Sequence, residues 1–339
     1  MALMSWVKRV IPSPIKRLLH VYKDARAQRL QFKRFLHWMS LDTSSDKARI
    51  ETRLAFDIHR LETGLSHTHF RDGFGQSVLR EISKRMVMLQ HVDRNYPTNS
   101  LYMQAIAALH EYQQHNVADG YDLSEIRELF PPDIWNGAST YEPMDSSPAA
   151  GSFVLARESK ANNLEKSFID LAAGRYSVRE YASTPVSQQT LDKVYSIAMK
   201  TPSVCNRQSA RIYQISDADI IESALKLQGG FHGYDVPPIL LFITSDIRAF
   251  MNADERNEPF VDGGLFAMTL LYALEAYGLA ACPLNAMFTA EVDAKTRELL
   301  QVPDYELPVM YIAVGNFPKE VPVCRSTRRD VESVLTIIG

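Results

Sequence analysis

A turn-rich stretch divides this chain into two parts whose apolar residues follow different rules. Pro131-Pro132, Asn136-Gly-Ala-Ser-Thr140 and Ser146-Ser-Pro-Ala-Ala-Gly151 crowd helix breakers and turn formers into about twenty residues. Before the break the pattern is helical. Leu79, Ile82, Met86 and Leu89 recur at one-face spacing, and Asn99 or Ser100 is placed to cap a second helix over Leu101–Gln114. After it, helical patterns (Leu164–Ala173, Gln188–Met199, Ala218–Leu227, Gly264–Tyr277, Ala290–Leu300) alternate with strand-like runs at Arg211–Ile215, Ile239–Thr244 and Val309–Val314. The division predicts a helical region over 1–135, a linker or wrapping segment over 136–160, and an α+β domain over 161–339.

Composition sets outer bounds. At 339 residues the chain is long for one domain. Its longest stretches free of Asp, Glu, Lys, Arg and His, Asn95–Leu109 and Ala276–Ala290, are too short to span a bilayer, and each contains a proline. Cys205, Cys282 and Cys324 form no C-x-x-C pair, which argues against structural zinc and a disulfide framework and favours a reducing cytoplasm. No metal is expected. Although His67-Thr-His69 lies near Glu62 and Asp72, the spacing matches no recognised ligand set.

The formal charge of −3 conceals an asymmetry. Residues 1–37 carry nine Lys/Arg against Asp24, a net +8, which leaves −11 for the remainder. Val7, Ile11, Ile15, Leu18, Leu19 and Tyr22 recur there at roughly helical spacing, with Pro12 and Pro14 interrupting. Such a basic amphipathic helix either packs on its own protein with a solvated face or meets an anionic membrane surface or an acidic partner. The acidic remainder and the lack of any readable binding module argue against nucleic acid.

Chemistry-bearing motifs begin with absences: no G-x-G-x-x-G, no phosphate-loop lysine, no G-x-S-x-G and no H-E-x-x-H. Eight of nine histidines lie at or before His115, so a histidine-centred triad in the second half has little material, and a bound cofactor is the expected agent. Three stretches suit one. Arg175-Tyr-Ser-Val-Arg179 sets two guanidiniums about a hydroxyl, fit for a phosphate, although taken alone it reads first as surface charge. Thr201-Pro-Ser-Val-Cys-Asn-Arg-Gln208 offers amides for a heterocycle's edge, or is a polar turn. The apolar helix Gly263–Tyr277, followed by Gly278-Leu-Ala-Ala-Cys-Pro-Leu-Asn-Ala286, supplies a wall and a Pro-containing turn for a flat ligand, or is a core helix.

In this order the three stretches resemble the nitroreductase family. Arg175–Arg179 with Tyr181-Ala-Ser-Thr-Pro-Val186 is similar to its R-x-S-x-R opening. Pro202, Ser203, Asn206 and Gln208 match its P-S-x-x-N-x-Q signature. Asp262, Gly263 and Gly278-Leu279 match the central helix and the loop after it. Ile312-Ala-Val-Gly315 and Arg328-Arg329 resemble the last core strand and the basic C-terminal contact. The resemblance covers about residues 165–335. It implies an α+β fold with a mixed sheet flanked by helices, a homodimer, non-covalent FMN, and ping-pong electron transfer from NADH or NADPH to a small-molecule acceptor. By position, Arg175, Arg179 and Arg328 or Arg329 would hold the FMN phosphate and Ser177 the flavin's polar parts. Pro202, Ser203, Asn206 and Gln208 would meet the isoalloxazine or ribityl edge, and Pro283, Leu284 and Asn285 would lie beside the ring. The flavin itself would carry the redox step, so no catalytic side chain is assigned.

Two departures leave the acceptor and the nicotinamide preference open: Ser209-Ala210 follow Gln208 in place of bulk, and Pro283-Leu-Asn-Ala286 carries no acid. The segment His59–Ser66 with Phe70–Gly75 is read as a structured loop, similar to extended nitroreductase-like proteins encoded with bacterial surface-polysaccharide enzymes. It would either cover the flavin pocket through Arg60, Glu62, His67 and His69 or belong to a helical support. Alternatives on the same scaffold are oxygen-dependent flavin or substrate dehydrogenation or fragmentation, and a non-catalytic flavin-binding scaffold recruited to a membrane assembly.

Overall fold

A computed structural model of the chain describes residues 12–41, 45–142 and 150–339; of residues 13, 14 and 16–20 only the backbone is described. The expected basic helix is helix α1, Ser13–Trp38, with Pro12 at its N-cap and Pro14 in its first turn, where a missing N–H costs nothing. Val7, Lys8, Arg9 and Ile11 lie outside the described residues. α1 meets the body sparingly: Arg256 Nε donates to Gln31 Oε1 at 3.1 Å, and Arg49 Nη2 to the His37 carbonyl at 2.6 Å.

Helices α2 (Lys47–Leu65), α3 (Gln76–Val92), α4 (Ser100–Ala118), α5 (Ser124–Arg127) and α6 (Pro132–Ser139) enclose one core. Leu79, Ile82, Met86 and Leu89 are fully buried on α3, and Asn99 caps α4 by accepting the Leu101 and Tyr102 amides. The loop expected over His59–Ser66 is instead the last turns of α2. Leu54, Ile58, Leu61 and Leu65 continue a buried stripe through it, and that burial outweighs the weak helix propensity of Gly64. Gly64 is also required: a Cβ there would overlap the Phe74 ring.

The α+β part is built on a four-stranded sheet of order β2-β3-β5-β4, with β2 Ala210–Ile215, β3 Ile239–Asp246, β4 Leu279–Asn285 and β5 Glu306–Asn316. The sheet, expected as mixed, pairs antiparallel at every neighbour. Along β3 the side chains alternate between faces, as the two-residue strand period dictates. Ile239, Leu241 and Ile243 pack under α8 (Gln188–Ala198) and α10 (Glu258–Ala276), and Leu240 and Phe242 pack under α9 (Ala218–Gln228) and α11 (Ala290–Leu300). Helices therefore cover both faces.

Within the stretch 136–160, residues 143–149 lie outside the described residues, and strand β1 (Ser152–Ala156) pairs antiparallel with β6 (Glu320–Cys324). This ribbon joins the two parts. α2 packs against it, Glu62 Oε1 accepts the Gly151 amide at 3.0 Å, and Glu111 Oε2 accepts the Ser152 amide at 2.8 Å.

Candidate functional site

The Pro-containing stretch expected as a turn is strand β4, and its place at the sheet edge explains its sequence. Pro283 has no N–H to give a further strand, so it is tolerated there. The open edge is covered by the chain leaving helix α7 (Phe168–Gly174): the Val178 amide donates to the Ala281 carbonyl at 3.0 Å, and Val178 is fully buried. That contact fixes the Arg175–Arg179 segment. A buried ion pair fixes the residue before it, since Lys160 Nζ bonds the Gly174 carbonyl and Glu275 Oε1, the latter at 2.7 Å. Asn163 Nδ2 donates to the Glu275 carbonyl at 2.6 Å, which ties the cluster to the end of α10.

Arg175 and Ser177 line a cavity of about 640 Å³ with Tyr272 of α10 and Arg325, Ser326 and Arg328 beyond β6. Arg175 Nη1 is buried and has no hydrogen-bond partner among the described residues. A buried guanidinium N–H without an acceptor is costly unless a ligand supplies one. The sequence motifs assign no site role to Arg325, Ser326 or Cys324; the tract Cys324-Arg-Ser-Thr-Arg-Arg329 is the available signal. Arg329 does not line the cavity.

Arg179 does not line it either. Its Nη1 donates to Cys324 Sγ at 3.3 Å, and Ser66 Oγ approaches the same sulfur at 3.4 Å. Burial pushes the Cys282 thiol up, an effect the Arg179 charge opposes, and burial pushes the Tyr234 phenol up beside them. Glu62 is pushed up to about 7 by burial, against the amides of Gly151 and Ser326 that bond it. Burial, then the charges of Arg179 and Arg328, holds His59 below its ordinary value. Ligating atoms of His59, Glu62 and Cys324 fall within 4.8 Å of one another, whereas His67 and His69 join no such group among the described residues.

The Thr201–Gln208 loop is held by α10. Asp262 Oδ1 accepts the Val204 amide at 3.1 Å, and Ser203 Oγ accepts the Gln208 amide at 2.9 Å. Cys205, Asn206 and Gln208 all adopt positive φ (48°, 56° and 52°). Each costs on the order of 1–3 kcal/mol, a concentration of strain characteristic of binding loops. Pro202, Ser203 and Gln208 bound a small cavity of about 20 Å³ with Asp262 and Phe266. Asn206 lies outside that lining, its Oδ1 accepting from Gln208 Nε2 at 3.3 Å. Pro283, Leu284 and Asn285 line a third cavity of about 550 Å³ with Phe260, Met287 and Met310.

The structure thus distributes the motif residues over three cavities rather than one, and α10 contributes to all of them. Phe260, then Asp262 and Phe266, then Tyr272 follow one another over twelve residues, roughly 18 Å of helix. Of the N-terminal candidates, Arg60 bonds Asp57 at 3.4 Å, Glu62 is the buried staple already described, and His67 and His69 border a separate cavity.

The Nitroreductase family profile matches residues 172–231 and 226–316, which contain the Arg175 segment, the strained loop, α10 and β4. Residues 172–316 are thus similar to the nitroreductase family. This nitroreductase-like region is similar to the FMN reductase [NAD(P)H] of Bacillus subtilis (strain 168), at 26% identity over 168 residues, covering 45% of this chain. The chain spans 65% of that relative's length. Similar solved structures include an FMN-dependent nitroreductase of Clostridium difficile R20291 (20% identity, 49% of this chain and 94% of that one, TM-score 0.41). Another is a nitroreductase family protein of Clostridium difficile 630 (21% identity, 50% and 98%, TM-score 0.43). The helical region before residue 172 lies outside the family match.

Proposed function

We propose that the chain is an FMN-dependent oxidoreductase driven by NADH or NADPH and acting on a small-molecule acceptor. The observation that carries this reading is Arg175 Nη1, a buried cationic donor without an acceptor among the described residues, in a cavity shared with Ser177, Ser326 and Arg328. That donor set fits a phosphate monoester: two guanidiniums supply charge and paired N–H groups, and the hydroxyls take remaining oxygens. Bound there, FMN would supply two-electron chemistry between the nicotinamide and the acceptor.

The protein's own groups would do the rest. Arg175 and Arg328 would bind the phosphate, Ser177 would meet the polar part of the flavin, and the rigid, strained loop with Pro202, Ser203, Asn206 and Gln208 would orient its edge. Pro283, Leu284 and Asn285 would flank the ring. Arg179, engaged with Cys324, would act by fixing the wall that Cys324 forms; Arg329 lies outside the cavity lining and is given no role.

Val261, Leu265 and Met268 form an exposed apolar stripe on α10, which supports a homodimer through this helix. Three free cysteines support a reducing, cytoplasmic location. Exposed Val21, Phe32, Phe35 and Trp38 on the basic helix α1 make it the segment for peripheral contact with an anionic membrane or an acidic partner.

The test is direct. The full chain, purified without added flavin, is expected to carry or take up one FMN per protomer and to be bleached anaerobically by NADH or NADPH. Absence of flavin together with no uptake of added FMN would overturn the reading.

A further inference from the structure

A fourth cavity, of about 420 Å³, opens where the two parts of the chain meet. His67, His69, Arg71 and Phe74 come from the segment after α2, and His232 and Gly233 from the loop after α9. Its polar side chains are three imidazoles and one guanidinium, and no carboxylate lines it; Asp72 and Asp235 stand in the same turns but outside the lining.

The walls are built rather than incidental. His67 stacks on Tyr234 with ring centroids 3.9 Å apart and planes 13° from parallel. Tyr234 is itself tied to α2, its hydroxyl donating to the Thr63 carbonyl at 2.9 Å. Gly233 has φ +81°, and a Cβ there would stand 3.1 Å from His67 Cε1, so both its conformation and its contact favour glycine. The nearby carboxylate, Glu180, is engaged: it accepts the Thr68 amide at 2.9 Å and the Thr68 hydroxyl, and lies 4.0 Å from His67 Nδ1. His69, Arg71 and His232 form no ion pair or side-chain hydrogen bond among the described residues. Donors therefore converge from two segments on one space, in a body whose charge outside residues 1–37 is −11.

We propose that this cavity binds the phosphoryl or diphosphoryl group of a small molecule. Arg71 offers paired N–H donors, and each imidazole keeps an N–H to donate even when neutral, so the site needs no acid pH to function. Several donors spread around one space suit the radially disposed oxygens of a phosphoryl group better than the planar pair of a carboxylate. The Phe74 ring leaves an apolar wall for the ligand's remainder. A ligand held by both His69 and His232 would clamp the helical region to the nitroreductase-like region. This site is independent of the flavin reading and uses none of its residues.

The experiment is calorimetric titration of the full chain with inorganic pyrophosphate, first saturated with FMN so that the Arg175 cavity is filled. Saturable binding is expected, weakened at least about tenfold in Arg71→Ala with His232→Asn. If the protein takes no FMN, the titration is run flavin-free, and Arg175→Ala separates binding at the larger cavity from binding here. Should the double variant fail to fold, the native chain still answers: pyrophosphate is expected to shield His69 and His232 from diethyl pyrocarbonate, read by mass spectrometry. Binding unaffected by the double substitution, no shielding of either histidine, or tighter binding of citrate than of pyrophosphate would each overturn the proposal.

Discussion

Arg179 points its guanidinium at the sulfur of Cys324, 3.3 Å away, rather than into the cavity that Arg175 lines. Two arginines four residues apart thus have different environments. Arg175 Nη1 is buried without an acceptor among the described residues, whereas Arg179 is absorbed into packing against β6, where Ser66 of the α2 terminus meets the same sulfur.

The first prediction follows from that seclusion. Cys282 and Cys324 are buried and Cys205 is exposed. Titration of the native full chain with an aromatic disulfide reagent is expected to modify Cys205 rapidly and the other two only upon unfolding. Rapid reaction of Cys324 in the native protein would contradict the described packing.

Arginine substitutions separate the cavity from its surroundings. Arg175→Ala and Arg328→Ala should each weaken FMN binding by about 10–100-fold, the worth of a charge-assisted hydrogen bond. Arg329→Ala should change it less than about twofold, because Arg329 does not line the cavity. Flavin fluorescence titration measures all three.

The Lys160–Glu275 pair should be the costliest single point to break. Both side chains are 4% exposed, and removing one partner leaves the other's charge buried. Lys160→Met is expected to lower unfolding free energy by about 3–5 kcal/mol in urea titration. Replacing both residues by apolar side chains should recover part of the loss.

Glu62 gives a pH dependence of known sign. Burial raises its folded-state value from 4.5 to about 7, so the folded protein holds a proton there that the unfolded chain releases. The Glu62 contribution to stability should therefore decline as pH rises from about 4.5 to about 7 and stay flat above. The decline amounts to roughly 3 kcal/mol at 1.36 kcal/mol per pH unit. Wild-type stability minus that of Glu62→Gln, measured by urea unfolding at several pH values, should follow this curve.

Much of the fold is legible in local pattern. Asn99 announces its helix because its carboxamide serves the first free amides, and Leu79 to Leu89 announce theirs because one face must be buried. Helix α11 begins and ends where its sequence says. The motif Arg175–Arg179 and the Pro202–Gln208 signature stand out in the sequence for the same reason: the residue types that can grip a phosphate or shape a tight loop are a local property.

Three-dimensional packing decided the rest. Whether His59–Leu65 is loop or helix depended on Phe74, which occupies the space beside Gly64, and on a core stripe shared with other helices. Strand β4 became a strand because β5 offered an edge, and its proline could then face outward. The division of labour between Arg175 and Arg179, and the presence of Arg325 and Ser326 beside them, needed β6 to fold back across about 150 residues of chain. Sequence spacing fixes which donors a segment carries; only the meeting of distant segments fixes where each donor's partner lies, because hydrogen bonds and burial act over a few ångströms of space whatever the separation along the chain.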